Sequence, residues 1–223
     1  IAIGVVILPQ LSKYIDLKNK NKIVLIQNKA LELSMFLSLP ASIALLVGSK
    51  EIISALFGYG SFSENGVINS ANALFYFGLG LPAFALIKVF SSFFFANQDT
   101  KIPFYISLLS VILNVIISIT YFKSFGFIII PIATTLSSWF NAMVLFIFLR
   151  KRNLFKFNNI FIERFFKIIL SSFLMGLFFK FLTIVLENQL SYNFSFKSIY
   201  LLISVLLCII FYLLISFLIK AFK

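Results

Sequence analysis

Long, nearly charge-free apolar runs constrain this chain more than any other feature. A hydrocarbon layer about 30 Å thick is crossed by about 20 apolar residues wound as a helix. Seven such stretches can be drawn: residues 1–14, 30–47, 70–95, 103–121, 127–149, 165–186 and 199–219. The runs are continuous and lack the alternation of a membrane barrel, so helices are expected rather than strands. Composition agrees. The chain is 61% hydrophobic and 12% charged, against about 45–50% and about 25% for a soluble domain. Too few polar residues remain to cover a globule, which leaves lipid as the outer solvent. The predicted fold class is an all-α integral membrane protein, a polytopic helical bundle.

The net charge of +12 suggests nucleic acid only if the basic residues are ignored in their setting. They cluster in the short connections between apolar runs, the pattern of cytoplasmic membrane faces, so no nucleic-acid partner is expected. With the connection after the first run placed inside, the inner stretches hold Lys13, Lys18, Lys20, Lys22, Lys29, Lys101, Arg150, Lys151, Arg152, Lys156, Arg164, Lys220 and Lys223. The outer stretches hold Lys50, Lys123 and Lys197. Lys88, Lys167 and Lys180 fall within runs. The bias alternates connection by connection and predicts a cytoplasmic C-terminus. The chain opens on Ile1 in the middle of an apolar run, with no basic leader or cleavage site. This is read as a preceding portion not present in the sequence rather than as a signal peptide.

Several function classes lose their chemistry here. There is no His, and the single Cys208 lies inside an apolar run, which points to a small lipid- or core-facing side chain. Neither a Ser–His or Cys–His pair, nor a zinc site, nor a phosphate-cradling glycine loop can be assembled. No cofactor, metal site or enzymatic activity is expected.

The residues worth singling out are few. Glu32 stands at the cytoplasmic entry of the second run. A carboxylate in a span is a functional candidate by default, and an interfacial pairing with Lys29 is the plainer reading. Lys88 lies about two turns before an inner connection. It either snorkels to the headgroups or faces a cavity and attracts an anionic lipid headgroup. Asn114 and Asn141 sit mid-run, where amides bond between helices. Pro40 is expected to kink the second run, and Gly78–Leu79–Gly80–Leu81–Pro82 to interrupt the third; Pro131 lies near the start of the fifth. These are either ordinary irregularities or hinges of a moving transporter helix. Around residues 50–57, apolar positions 52, 53, 56 and 57 share a face. They predict a short helix on the outer surface, ended by Gly58 and Gly60.

Four segments in order carry a resemblance. The stretch Leu81–Pro82–Ala83–Phe84 through Lys88–Val89 runs on to Phe94–Phe95–Ala96–Asn97–Gln98–Asp99–Thr100–Lys101–Ile102–Pro103. Before it come Gly4–Val5–Val6–Ile7–Leu8–Pro9–Gln10–Leu11–Ser12, Leu37–Ser38–Leu39–Pro40–Ala41, and Leu56–Phe57–Gly58–Tyr59–Gly60–Ser61–Phe62. Together they resemble the MurJ/MviN family of lipid II flippases, within the larger multidrug and oligosaccharidyl-lipid exporter superfamily. The motifs cover residues 1 to about 152; beyond Arg152 the likeness rests on helix number and topology.

The resemblance implies a transporter of fourteen helices in two lobes, of which this chain would be the C-terminal lobe. Residues 1–152 would form the second lobe from the end of the eighth helix to the twelfth, and 153–223 two additional transmembrane helices. It implies alternating access in the bacterial inner membrane. The substrate would be lipid II, an undecaprenyl-diphosphate-linked disaccharide-peptide, among membrane lipids, and the N-terminal lobe of the same chain would be the partner. The family's known functional charges lie in its N-terminal part and do not map here. Within this chain Lys88 would contribute electrostatically, while Asp99, Thr100 and Pro103 would shape the inner turn. Several relatives carry Arg where Glu32 stands, which argues against Glu32 as a contact for an anionic headgroup. The alternatives are an exporter of another lipid-linked saccharide or of drugs, or a membrane scaffold or enzyme anchor without cargo.

Overall fold

A computed structural model describes residues 2–221, with side chains from Ile7 onward. The predicted run start at Ile1 and the inner Lys223 lie outside the described residues. Among the described residues eight helices follow in order: α1 Ala2–Asp16, α2 Lys20–Phe57, α3 Glu64–Ala96, α4 Lys101–Phe125, α5 Ile129–Lys151, α6 Asn159–Val185, α7 Glu187–Leu190 and α8 Lys197–Leu218. A 3-10 turn, Gly126–Ile128, joins α4 to α5. Among the described residues there is no strand. The α2, α3 and α6 helices, the α4–α5 stretch and α8 are each long and apolar enough to cross a membrane. The chain is a multi-pass helical membrane protein. Large apolar side chains stand exposed along these helices, with Ile119 at 73% and Phe217 at 81% exposure.

Each of the seven runs forms a helix, but most of the helices extend well past the apolar window. The α3 helix is 33 residues long, about 50 Å at 1.5 Å per residue, where the apolar run alone suggested 70–95. Polar turns continue a helix that water can solvate outside the hydrocarbon, so hydropathy underestimates length. One expectation about breakers, the interruption of the third run, is corrected. The α2 helix passes through Pro40, and its non-helical residue is Gly48 (φ −113°, ψ 22°). The segment after that bend is the short helix expected near residues 50–57; Leu56 and Phe57 are exposed on it while Ile53 is buried. The α3 helix runs unbroken through Gly78–Pro82. Pro82 has no N–H, so the carbonyl four residues back loses its helical donor. That carbonyl, Gly78, instead accepts the Ser42 hydroxyl of α2 at 2.7 Å, and the ladder survives.

The chain divides into two compact units. The first runs through Ser38 and resumes over Gly80–Phe166; the second comprises Leu39–Leu79 and the residues from Lys167 on. The core of the first is built on phenylalanine. Phe93 and Phe155 stack with centroids 5.9 Å apart, Phe155 meets Phe157 edge-on at 4.9 Å, and Phe157 stacks on Phe161 at 5.6 Å. The α5–α6 connection therefore enters the core rather than lying in water. Gln27 Nε2 donates to Leu154 O at 2.8 Å, Asn28 Nδ2 donates to Lys156 O at 2.9 Å, and Asn158 N–H donates to Asn28 Oδ1 at 3.1 Å. In the second unit, α2 and α6 approach at small residues. A Cβ at Gly176 would stand 2.4 Å from Ile43 Cγ2, and one at Gly48 would stand 2.3 Å from the Phe179 ring.

Candidate functional site: a lysine cleft at the α3–α4 turn

The first unit contains a cleft of about 840 Å³. On α3, Val89, Phe90, Phe93 and Phe94 are buried in the phenylalanine core. Helical periodicity then turns Lys88, Ser91, Ser92 and Phe95 to the cleft. From α4 come Lys101, Pro103, Phe104, Tyr105 and Ser107, with Thr100 preceding the helix and Leu8 arriving from α1. Two lysines and several hydroxyls thus share one opening with apolar walls. Among the described residues neither Lys88 nor Lys101 has a carboxylate within ion-pair distance. Unpaired ammonium groups beside hydroxyls can pair with an anion that carries several acceptor oxygens.

The turn that shapes the cleft is held tightly. Gln98 takes a left-handed conformation (φ 59°), and the carbonyl of Phe94 accepts the N–H groups of Asn97 (2.9 Å) and Asp99 (3.0 Å). Asn97 Nδ2 adds a bond to Phe93 O at 2.7 Å. Asp99 does two things at once. Its Oδ1 accepts the Ile102 N–H at 3.3 Å, capping α4, and its Oδ2 meets Arg152 Nη1 at 2.6 Å, tying the turn to the end of α5. Pro103 sits in the first turn of α4, where its missing N–H costs nothing.

Of the residues singled out from sequence, Lys88, Thr100 and Pro103 line the cleft, and Asp99 holds its turn without lining it. Glu32 and Pro40 are not among its lining residues. The expected Lys29 partner of Glu32 is corrected: Arg164 Nη1 donates to both Glu32 oxygens, at 2.9 and 3.1 Å. Burial of Glu32 selects the partner that brings a guanidinium to it within the same unit. Asn114 Nδ2 donates across α4–α5 to Thr134 Oγ1 at 3.0 Å, and Asn141 Nδ2 reaches Ser107 Oγ at 3.5 Å.

Sequence reasoning passed over Lys197, which it placed in an outer connection. The side chain is 1% exposed. Its Nζ donates to the carbonyls of Gly58 and Tyr192, each at 2.6 Å, and lies 4.4 Å and 4.7 Å from the ring centroids of Tyr59 and Tyr192. The tyrosines at 59 and 192 were the available signal, since their faces attract a cation.

A model of the family described as "Lipid II flippase MurJ" matches residues 1–202. The chain belongs to the MurJ family. The MurJ match extends well past Arg152, where the sequence motifs stop. A probable lipid II flippase MurJ of Rhizobium meliloti is 40% identical over 146 residues, which are 66% of this chain and 27% of that protein. One from Thermotoga maritima is 34% identical over 187 residues, 84% of this chain and 36% of that protein. The matched region thus spans about a third or less of these relatives' length. A solved structure titled "Lipid II flippase MurJ, inward closed conformation" superposes with a TM-score of 0.75 at 23% identity, covering 96% of this chain and 41% of that one. That likeness establishes the multi-helix transporter fold.

Proposed function

We propose that this chain is the C-terminal lobe of a lipid II flippase of the bacterial inner membrane, working with an N-terminal lobe by alternating access. Residues 1–152 act as the second lobe and 153–223 as two added helices, with the C-terminus in the cytoplasm. It moves a substrate without making or breaking covalent bonds, so it is a transporter and not an enzyme. The observation that carries this reading, beside family membership, is the pairing of Lys88 and Lys101 without carboxylates in a hydroxyl-bearing cleft. A diphosphate leaving water loses hydration that only charge and hydrogen bonds can replace. Two ammonium groups flanked by Ser91, Thr100 and Tyr105 offer both, and the apolar wall suits a lipid neighbour. Asp99 and Arg152 position the turn; Glu32 is held by Arg164 and serves structure.

The test is complementation of flippase-depleted bacteria by the full-length gene. The unaltered gene restores growth. The Lys88→Gln/Lys101→Gln double variant, expressed at equal membrane level, restores it poorly, and Lys88→Arg restores it well. Full growth with the double variant removes the cleft from the mechanism. Failure of the unaltered gene despite good expression removes the substrate assignment and favours an exporter of another lipid-linked saccharide or of drugs.

A further inference from the structure

The second unit has a cavity of its own, of about 250 Å³, built from the end of α2, the start of α3, the end of α6, and α7. Glu51, Glu64 and Glu187 line it, against one cation, Lys50. That concentration is out of keeping with a chain holding seven acids in all and a net charge of +12. Among the described residues none of the three carboxylates has an ion-pair partner, and neither does Lys50. Lys197 forms no ion pair with them, and its ammonium donates to the Gly58 and Tyr192 carbonyls.

A second observation points to a ligand. Ser54 also lines the cavity and is 4% exposed, yet its hydroxyl oxygen has no hydrogen-bond partner. Buried hydroxyls are almost always satisfied, and this one belongs to the cavity lining without a partner. Thr183, 6% exposed, donates to Lys180 O at 2.8 Å and keeps its own oxygen lone pairs available.

We infer that this cavity binds an aliphatic primary ammonium group. The acids do not converge as a metal site does: among the described residues no three His, Cys, Asp or Glu could hold a metal ion. Carboxylates spread around an opening suit instead a cation with several N–H donors pointing apart. Val67 and Leu190, both buried, supply an apolar wall for its methylene stem. The volume suits a short chain of about five carbons, since one water takes about 30 Å³. Such an ammonium comes either from a free diamine or from a lysine-like side chain of a peptide.

The full-length protein in lipid nanodiscs is titrated calorimetrically with 1,5-diaminopentane, a capped lysine amide, the neutral pentane-1,5-diol and Mg²⁺. Diaminopentane binds and the diol binds at least about tenfold more weakly, a difference of about 1.4 kcal/mol. Glu64→Gln/Glu187→Gln weakens the amine at least about tenfold. Ser54→Ala weakens it several-fold, and Lys88→Gln leaves it unchanged. Lysine amide binding as well as the diamine identifies a peptide ammonium; binding of the diamine alone identifies a free amine. Should the double variant fail to fold, Glu51→Gln gives the same reading. The inference is overturned by equal binding of the diol, by full affinity in the correctly folded glutamine variants, by Mg²⁺ binding with the same variant dependence, or by no amine binding up to about 1 mM.

Discussion

At the scale of single residues, burial decides what each charge does. Glu32 is 4% exposed and gripped by Arg164 through both oxygens. Removing one member strands the other charge away from water, whereas removing both leaves an apolar contact. Glu32→Gln and Arg164→Gln are therefore each expected to lower stability by about 2–3 kcal/mol, and Glu32→Leu/Arg164→Leu by much less. Unfolding in detergent, analysed as a double-mutant cycle, reads the coupling directly. Additive losses would refute it. The sequence singled out Glu32 because a carboxylate in a span is costly. Its partner stands 132 positions away, and no local pattern encodes such a distance. Lys197 failed for the same reason in reverse: in a one-dimensional reading it belongs to a polar connection, and only the folded chain sets Tyr59 and Tyr192 around it.

At the scale of elements, helix identity was legible and helix limits were not. Hydrophobic length sets which segments cross lipid, so every run became a helix. Ends depend on turns such as Gln98 and Gly126, both at positive φ, and on tertiary partners. The prolines show this most clearly. Pro82 was expected to break α3, and the break is avoided because Ser42 donates to Gly78 O. Ser42→Ala is expected to cost about 1–2 kcal/mol, by stranding a buried carbonyl. Adding Pro82→Ala should recover most of that by restoring the helical N–H. Thermal melting of the three proteins checks both statements, and a Ser42→Ala loss unaffected by Pro82→Ala would show that the hydroxyl acts elsewhere. The lysine cleft was half-visible. Lys88, Thr100 and Pro103 stood out as residues, but that α3 and α4 bring them to one opening with Lys101 follows from the Asp99 cap and the Arg152 tie.

At the scale of the whole molecule, membrane character and family were written in apolar length, charge distribution and four ordered motifs. The cavity of the second unit was not. Glu51, Glu64 and Glu187 lie on three different helices, α2, α3 and α7, and nothing in their spacing foretells a common opening. The proposed orientation is open to a direct check. On a Cys208→Ser background, a cysteine at Ser61 should react with an impermeant maleimide in intact cells, and one at Gln98 only after permeabilisation. The reverse pattern would invert the molecule. The Ser42–Gly78 bond lies wholly within the second unit. The boundaries of the two units cross α2 after Ser38 and α3 after Leu79, beside Pro40 and within the Gly78–Pro82 segment. A ladder rung made of a hydroxyl can be dropped and remade by one rotation about a Cβ–Oγ bond, which no backbone amide can do. At that one rung the α3 rod therefore carries a clasp instead of a weld.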